Sequence, residues 1–227
     1  NNEIKPNSIT SDIGSKGLSI LIAGCGTGNQ ILQAQRYKNA EIKAIDLSLS
    51  SLAYAKRKII EYGINNVELI QMDILEIGLL KKQFDIILCS GVLHHMSDPS
   101  KGLNKLISVL KKNGFLKLGL YSELARQDVI KAIKYIEKTK WEPTKTNINK
   151  FREKVISGEL KDLKSLQTIS DFYSLSECRD LCFHIKENRF TIPKLQEIFK
   201  SHKLNFHGFL LPQSIKSIYK QMFPKDK

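Results

Sequence analysis

The sequence predicts an α/β fold: a doubly wound, mostly parallel sheet with helices on both faces. Three observations carry this expectation. Strand-length apolar runs recur at 18–23, 67–71, 84–89 and 115–120. Segments with helical spacing separate the strands, and parallel neighbours need such crossovers. A bare turn, Gly24-Cys-Gly-Thr-Gly28, follows the first run, where open parallel sheets place their ligand crevice.

The elements follow in order. Leu18–Ala23, "LSILIA", is a continuous apolar run fit for a strand buried on both faces. Residues 29–36 read as a helix and 41–46, "EIKAID", as the second strand. Ser48 or Ser50 can cap a helix over 52–61, which Gly63 ends. The unit then repeats. Strand 67–71 leads into the loop Met72-Asp73-Ile74, and strand 84–89 leads into Ser90–Met96. A helix over about 100–111 and the turn Lys112-Asn113-Gly114 precede a fifth strand, 115–120.

From Tyr121 the rhythm changes. Helical patterns at 122–140, 148–157 and 176–187, broken around Glu142-Pro143, mark 122–190 as a helical insertion: a lid, an acceptor surface or a dimer contact. Pro193 opens a helix to about 202, 204–211 reads as a sixth strand, and a last helix covers 213–222. The chain divides into a polar linker (1–16), a ligand-binding core (17–121), the insertion (122–190) and a return to the core (191–227). The polar start suggests a chain that begins within a longer protein.

The 227 residues carry a net charge of +13, mostly lysine. Such a surplus can attract nucleic acid or anionic surfaces. No arginine-rich cluster or basic-aromatic platform accompanies it, so the charge reads as solvated faces and no nucleic-acid partner is expected. No apolar run is long enough for a membrane span. The four cysteines form no metal pattern with histidine, so no metal is expected; reduced thiols and a cytoplasmic location are.

The spacing of the glycines selects the ligand. A dinucleotide turn is G-x-G-x-x-G, but Gly24, Gly26 and Gly28 give G-x-G-x-G, and Asn29 stands where the third glycine belongs. The lysine of a phosphate loop is absent. A nucleoside with an amino-acid tail fits better. Asp46, ending the second strand, can accept from both ribose hydroxyls, and Asp73, after the third, can accept from an adenine amine. Leu47 and Ile74 can flank the ring, with Ser90 and Gly91 near the tail. Asp46 as a helix cap and Asp73 as a turn residue remain open alternatives.

"LIAGCGTG", "AIDLS", "QMDIL", "FDIILCSGVLHHMSDP" and "LKKNGFLKLGL" resemble, in correct order, the motifs of class I S-adenosylmethionine-dependent methyltransferases. The resemblance implies a Rossmann-like sheet of seven strands in the order 3-2-1-4-5-7-6, the last antiparallel. It implies S-adenosylmethionine as cofactor, S-adenosylhomocysteine as product, and Gly24, Cys25, Gly26, Thr27, Gly28, Asp46, Leu47, Asp73, Ile74, Ser90, Gly91 and His95 around them. "YSELARQDV" and "DFYSLSECRDLCFHIKENRFTIPKLQEIF" are similar to a bacterial subfamily associated with tetratricopeptide repeats and, in organisation, to rickettsial protein-lysine methyltransferases. A protein acceptor methylated on lysine is therefore expected. A small-molecule O-, N- or C-methyltransferase and a non-enzymatic cofactor-binding module are the alternatives, and a homodimer or fusion to further domains stays open.

Two departures from the family are visible. Ile22 stands two residues before Gly24, where relatives carry an acid that helps hold the methionine ammonium. Backbone carbonyls of Ala23 or Gly24 and residues near Ser90 are expected to replace it. Nothing after Leu211 reads as the final antiparallel strand, so that strand is expected to be missing or to come from elsewhere.

On the acceptor side, His94 and His95 lie in the exit loop of the fourth strand; either can instead pack under the sheet or cap a helix, His95 is the better candidate to line cofactor or acceptor, and which of His94, His95 and His184 is catalytic stays open. Tyr121 leaves the fifth strand towards the acceptor. In the insertion, Asp180 and His184 have the i,i+4 spacing of an orienting carboxylate and an imidazole, with Arg179 beside them. Glu187, Phe172 and Tyr173 are lid candidates, and Trp141 reads as packing.

Overall fold

The computed structural model describes residues 17–183 and 187–226. Five parallel strands form one sheet in the order β3-β2-β1-β4-β5. They are β1 (Ser19–Ala23), β2 (Glu41–Asp46), β3 (Val67–Gln71), β4 (Phe84–Ser90) and β5 (Leu110–Gly119). β1 lies at the centre, every residue buried.

Side-chain alternation assigns each strand's residues to two faces. Ile20 and Ile22, with Ile42, Ala44 and Leu88, share one core with Ile31 and Ala34 of α1 (Asn29–Ala34) and Leu52, Ala55 and Ile59 of α2 (Leu49–Glu61). Leu21 and Ala23, with Ile45, Ile87 and Cys89, share the other with Ile74 and Ile77 of a 3₁₀ segment (Ile74–Leu80) and Leu103 and Leu106 of α3 (Pro99–Ser108). Both faces of the central strand are covered by apolar side chains, so β1 reads as a hydrophobic run after Ser19.

The helix boundaries have local causes. Ser48 Oγ accepts from Ser51 N–H and caps α2, and Asp98 caps α3, which has Pro99 in its first turn. The helix expected over 100–111 stops earlier, at Ser108. β5 begins at Leu110, and Lys112-Asn113-Gly114 is a bulge inside it, where pairing jumps from Phe84–Leu110 to Ile86–Phe115 and Asn113 has φ +63°.

The insertion carries a hydrophobic cluster of its own. It packs α4 (Gln127–Thr139), α5 (Lys145–Ile156), a 3₁₀ segment (Lys161–Thr168) and α6 (Leu175–Cys182) around Phe151 and Phe172. α6 ends at Cys182, so the helix expected to run to 187 is shorter. The segment 187–190 returns to the sheet: Phe190 N–H donates to Tyr121 O at 2.9 Å, and Glu123 N–H donates to Phe190 O at 3.1 Å.

The expected sixth strand is not formed. After α7 (Ile192–Ser201), residues 204–211 pair with no strand, and α8 (Gln213–Met222) follows with no buried residue. In the seven-strand order, strand six pairs only with strand seven, which lies between it and strand five. Among the described residues none takes that place, so β-propensity at 204–211 has no ladder to join. No helix among the described residues is long and apolar enough to cross a membrane.

Candidate functional site

The cleft lies across the carboxyl ends of β1, β2 and β4, as open parallel sheets dictate. It measures about 510 Å³ and is lined by the glycine turn, the first turns of α1, Asp46 and Ser90–Val92. Each glycine of the turn is bare for a different reason. At Gly24 (φ +75°) an added Cβ would sit 2.0 Å from Val92 Cγ2, so close approach of the β4 exit demands it. At Gly26 (φ +51°) a Cβ would meet nothing within 4 Å, so the open space there is the cleft itself. At Gly28 (φ +99°) it would lie 3.2 Å from Ala55 Cβ, so this glycine lets α2 pack closely.

Asp46 braces the turn. Its Oδ2 accepts from Gly26 N–H at 2.7 Å and its Oδ1 from Ser48 N–H at 2.8 Å. Each carboxylate oxygen has a second lone pair, so both remain able to accept from a vicinal diol. The bracing and ribose readings therefore hold together. Cys25 is buried within the turn; burial and the negative charge of Asp46 push its thiol up to about 12. It is a neutral space-filler and no nucleophile. Thr27 lines the cleft and is exposed.

On the β3 side, Asp73 Oδ1 accepts from Leu75 N–H at 2.8 Å, capping the 3₁₀ segment. Ile74 is buried in the core with Leu21 and Leu103, whereas Leu47 is 65% exposed, so Leu47 alone of the expected flanking pair offers an open face. On the β4 side, Ser90 and Gly91 line the cleft, and Gln30 Nε2 donates to Ser90 O at 3.4 Å. Gln30, Asn29, Gln33 and Val92 were not among the expected cleft residues. Asn29 and Gln33 are four apart on α1, a spacing that could have pointed to them.

Beyond Val92 stands an aromatic and charged column. His94, almost wholly buried, stacks on Tyr121 with ring centroids 3.7 Å apart. The Arg126 guanidinium lies 3.8 Å from the same ring's centroid. Two groups at such distances cannot share a face, so Tyr121 is sandwiched and presents only its edge. Burial raises its phenol pKa, so the group stays neutral. Glu187 clamps Arg126 through Oε1 (Nε at 3.1 Å) and through Oε2 with Nη2. Asn188 holds the β4 exit: its backbone N–H donates to His94 O at 2.7 Å, and its Nδ2 donates to Met96 O at 2.7 Å. His95, half-buried, meets His94 edge-on at 4.2 Å.

Of the other expected acceptor residues, Asp180 bears on this column through its charge, which helps raise the Tyr121 phenol pKa. Arg179 and Asp180 are exposed on α6, and His184 lies outside the described residues. Phe172 is buried in the insertion core and Trp141 packs edge-on against Tyr135 at 5.9 Å, so both support the insertion. Tyr173 is half-exposed, its hydroxyl donating to Gln167 O. Arg126 and Asn188 were not anticipated.

Comparison with known proteins gives the context of this cleft. A family model described as a methyltransferase domain matches residues 14–191. The ubiquinone biosynthesis O-methyltransferase of Pseudomonas fluorescens is 30% identical over 114 residues, 50% of this chain and 48% of its own length. The malonyl-[acyl-carrier protein] O-methyltransferase of Halalkalibacterium halodurans is 28% identical over 174 residues, 68% of this chain and 62% of its own. PKMT2 from Rickettsia typhi, also solved with AdoHcy, superposes over 90% of this chain and 43% of its own with a TM-score of 0.67 and 21% identity. The chain thus spans only part of each.

Proposed function

From the premise that the chain belongs to the methyltransferase-domain family, as a class I S-adenosylmethionine-dependent methyltransferase, we propose that it methylates lysine side chains of a protein. The charge around Tyr121 carries this reading. Four ionic groups act on that phenol: Arg126, Glu187, Asp171 and Asp180. Arg126 and Glu187 neutralise each other in a nearly buried pair. Arg189 Nε also lies 4.0 Å from Glu187 Oε1, so with the exposed carboxylates Asp171 and Asp180 the cluster keeps a single surplus negative charge, which favours a cationic acceptor over an anionic one. The likeness of fold to PKMT2 over most of the chain supports the same reading.

The residues divide the work. When bound, the cofactor supplies a methyl group on a sulfonium, ready for in-line displacement by a nucleophile. Asp46 holds the ribose, and the glycine turn leaves room for the tail. The acceptor ammonium, ordinarily near pKa 10.4, must lose a proton before it attacks. Asp171 and Asp180 draw the cation in, and its removal from water beside the Tyr121 edge lowers its pKa. His95 takes the proton, while the neutral edge of Tyr121 orients the amine.

Incubation of the protein with labelled S-adenosylmethionine and fractionated cell extract tests this. Label in protein, with +14 Da steps on lysine by mass spectrometry, is expected. Label confined to small molecules or to carboxylates would refute it and favour the O-methyltransferase reading to which the Halalkalibacterium relative points.

A further inference from the structure

Ile22 stands where the family resemblance implies an acid for the cofactor's ammonium. Ile22 is wholly buried in the core with Ile20, Ile31 and Leu88, so β1 offers no side-chain acceptor there. An ammonium taken from water needs acceptors. Asp46 cannot serve both ends of the cofactor. It closes β2, and β1 separates β2 from β4, so two strand spacings, about 10 Å, lie between Asp46 and Ser90.

Gln30 stands at the Ser90 end. It is half-buried, whereas Thr27, Asn29 and Gln33 on the same rim are exposed. Its Nε2 donates to Ser90 O at 3.4 Å. Because a carbonyl can only accept, the amide NH₂ must face Ser90 and Oε1 must face away from it. We propose that Gln30 is the side chain that holds the cofactor's amino-acid tail: Oε1 accepts from the ammonium, and the bond to Ser90 fixes the amide for that task. Ser90 O, expected from the sequence as a direct acceptor region, acts instead as the strut. Every acceptor class uses the same cofactor, so this inference is independent of the lysine reading.

Titration calorimetry with two probes tests it. S-Adenosylhomocysteine carries the tail; 5′-methylthioadenosine shares the nucleoside and lacks the tail. Gln30→Ala should weaken S-adenosylhomocysteine by about tenfold to a hundredfold, the range for hydrogen bonds to charged groups. Methylthioadenosine should change by less than about twofold, which also reports that the variant is folded. Gln30→Asn, one methylene short, should show the same selective loss and serves if the alanine variant does not fold. Equal loss of both ligands, or unchanged S-adenosylhomocysteine affinity in both variants, would overturn the proposal.

Discussion

Replacing Glu187 by glutamine should destabilise this protein far more than any other single charge removal outside the cleft. The carboxylate side chain is 3% exposed and its Arg126 partner 12%. The two meet through two of the three guanidinium nitrogens, Nε and Nη2, and the guanidinium also covers the Tyr121 ring. Glutamine keeps shape and volume but leaves a guanidinium buried without its counter-charge. Breaking such a pair costs about 3–5 kcal/mol, against about 0–1 kcal/mol for a surface pair. In a chain of this size that is a fall in melting temperature on the order of 10 °C. The exposed pair Lys131–Asp128, with side chains 56% and 38% accessible, is the internal comparison. Asp128→Asn should cost no more than about 1 kcal/mol and less in high salt. Thermal and urea unfolding of both variants, with and without added salt, decides the matter. A Glu187→Gln loss below about 1 kcal/mol, or one that disappears in high salt, would refute the buried-latch account. The apolar double replacement Arg126→Met with Glu187→Leu should recover most of the stability, because it removes both charges at once.

Gly26→Ala should separate binding from folding. At φ +51° with open space around it, the change costs about 1–2 kcal/mol of stability, while its methyl enters the cleft and lowers cofactor affinity more than tenfold by calorimetry. Gly24→Ala should instead unsettle the fold, since Val92 must move. Asp46→Ala should lower affinity for S-adenosylhomocysteine by at least about tenfold, and a differential scan should also record a small stability loss from the two freed N–H groups. The thiols of Cys25 and Cys89 are both raised from 9.0 to about 12 by burial. Their neutral forms favour the folded state, so this stability is fully present below pH 9 and falls as pH rises from 9 towards 12. Urea midpoints measured across that interval should decline, and Cys25→Ser with Cys89→Ala should flatten the decline.

The two halves of the site differ in how far their sequence announces them. The cofactor side is built from residues within a few positions of strand ends. Asp46, Ser90 and the three glycines follow apolar runs whose alternation places both faces of the sheet, so their convergence follows from topology. Even there, the chain does not announce why each glycine is needed: Gly24 answers to Val92 and Gly28 to Ala55, contacts set by packing and not by the ligand. At 204–211 local propensity misleads, because "LNFHGFLL" has the composition of a strand and no neighbour to pair with.

The acceptor side rests on contacts without local signal. Arg126 meets Glu187 across 61 positions, and Asn188 reaches Met96 across 92. No periodicity or spacing rule links such residues. The i,i+4 rule singled out Asp180 and His184; Asp180 lies on α6, and His184 lies outside the described residues. Tyr121 is gripped on both ring faces by groups from the same protein, so the acceptor cannot stack on it. On the proposed function, selectivity for the acceptor comes from the edge of that ring, from the imidazole of His95 and from the carboxylates of the insertion. Asp171→Asn with Asp180→Asn should therefore raise KM for a lysine-bearing acceptor and leave S-adenosylhomocysteine affinity unchanged. A fall in cofactor affinity of similar size would place those carboxylates in support of the cleft, and not at the acceptor.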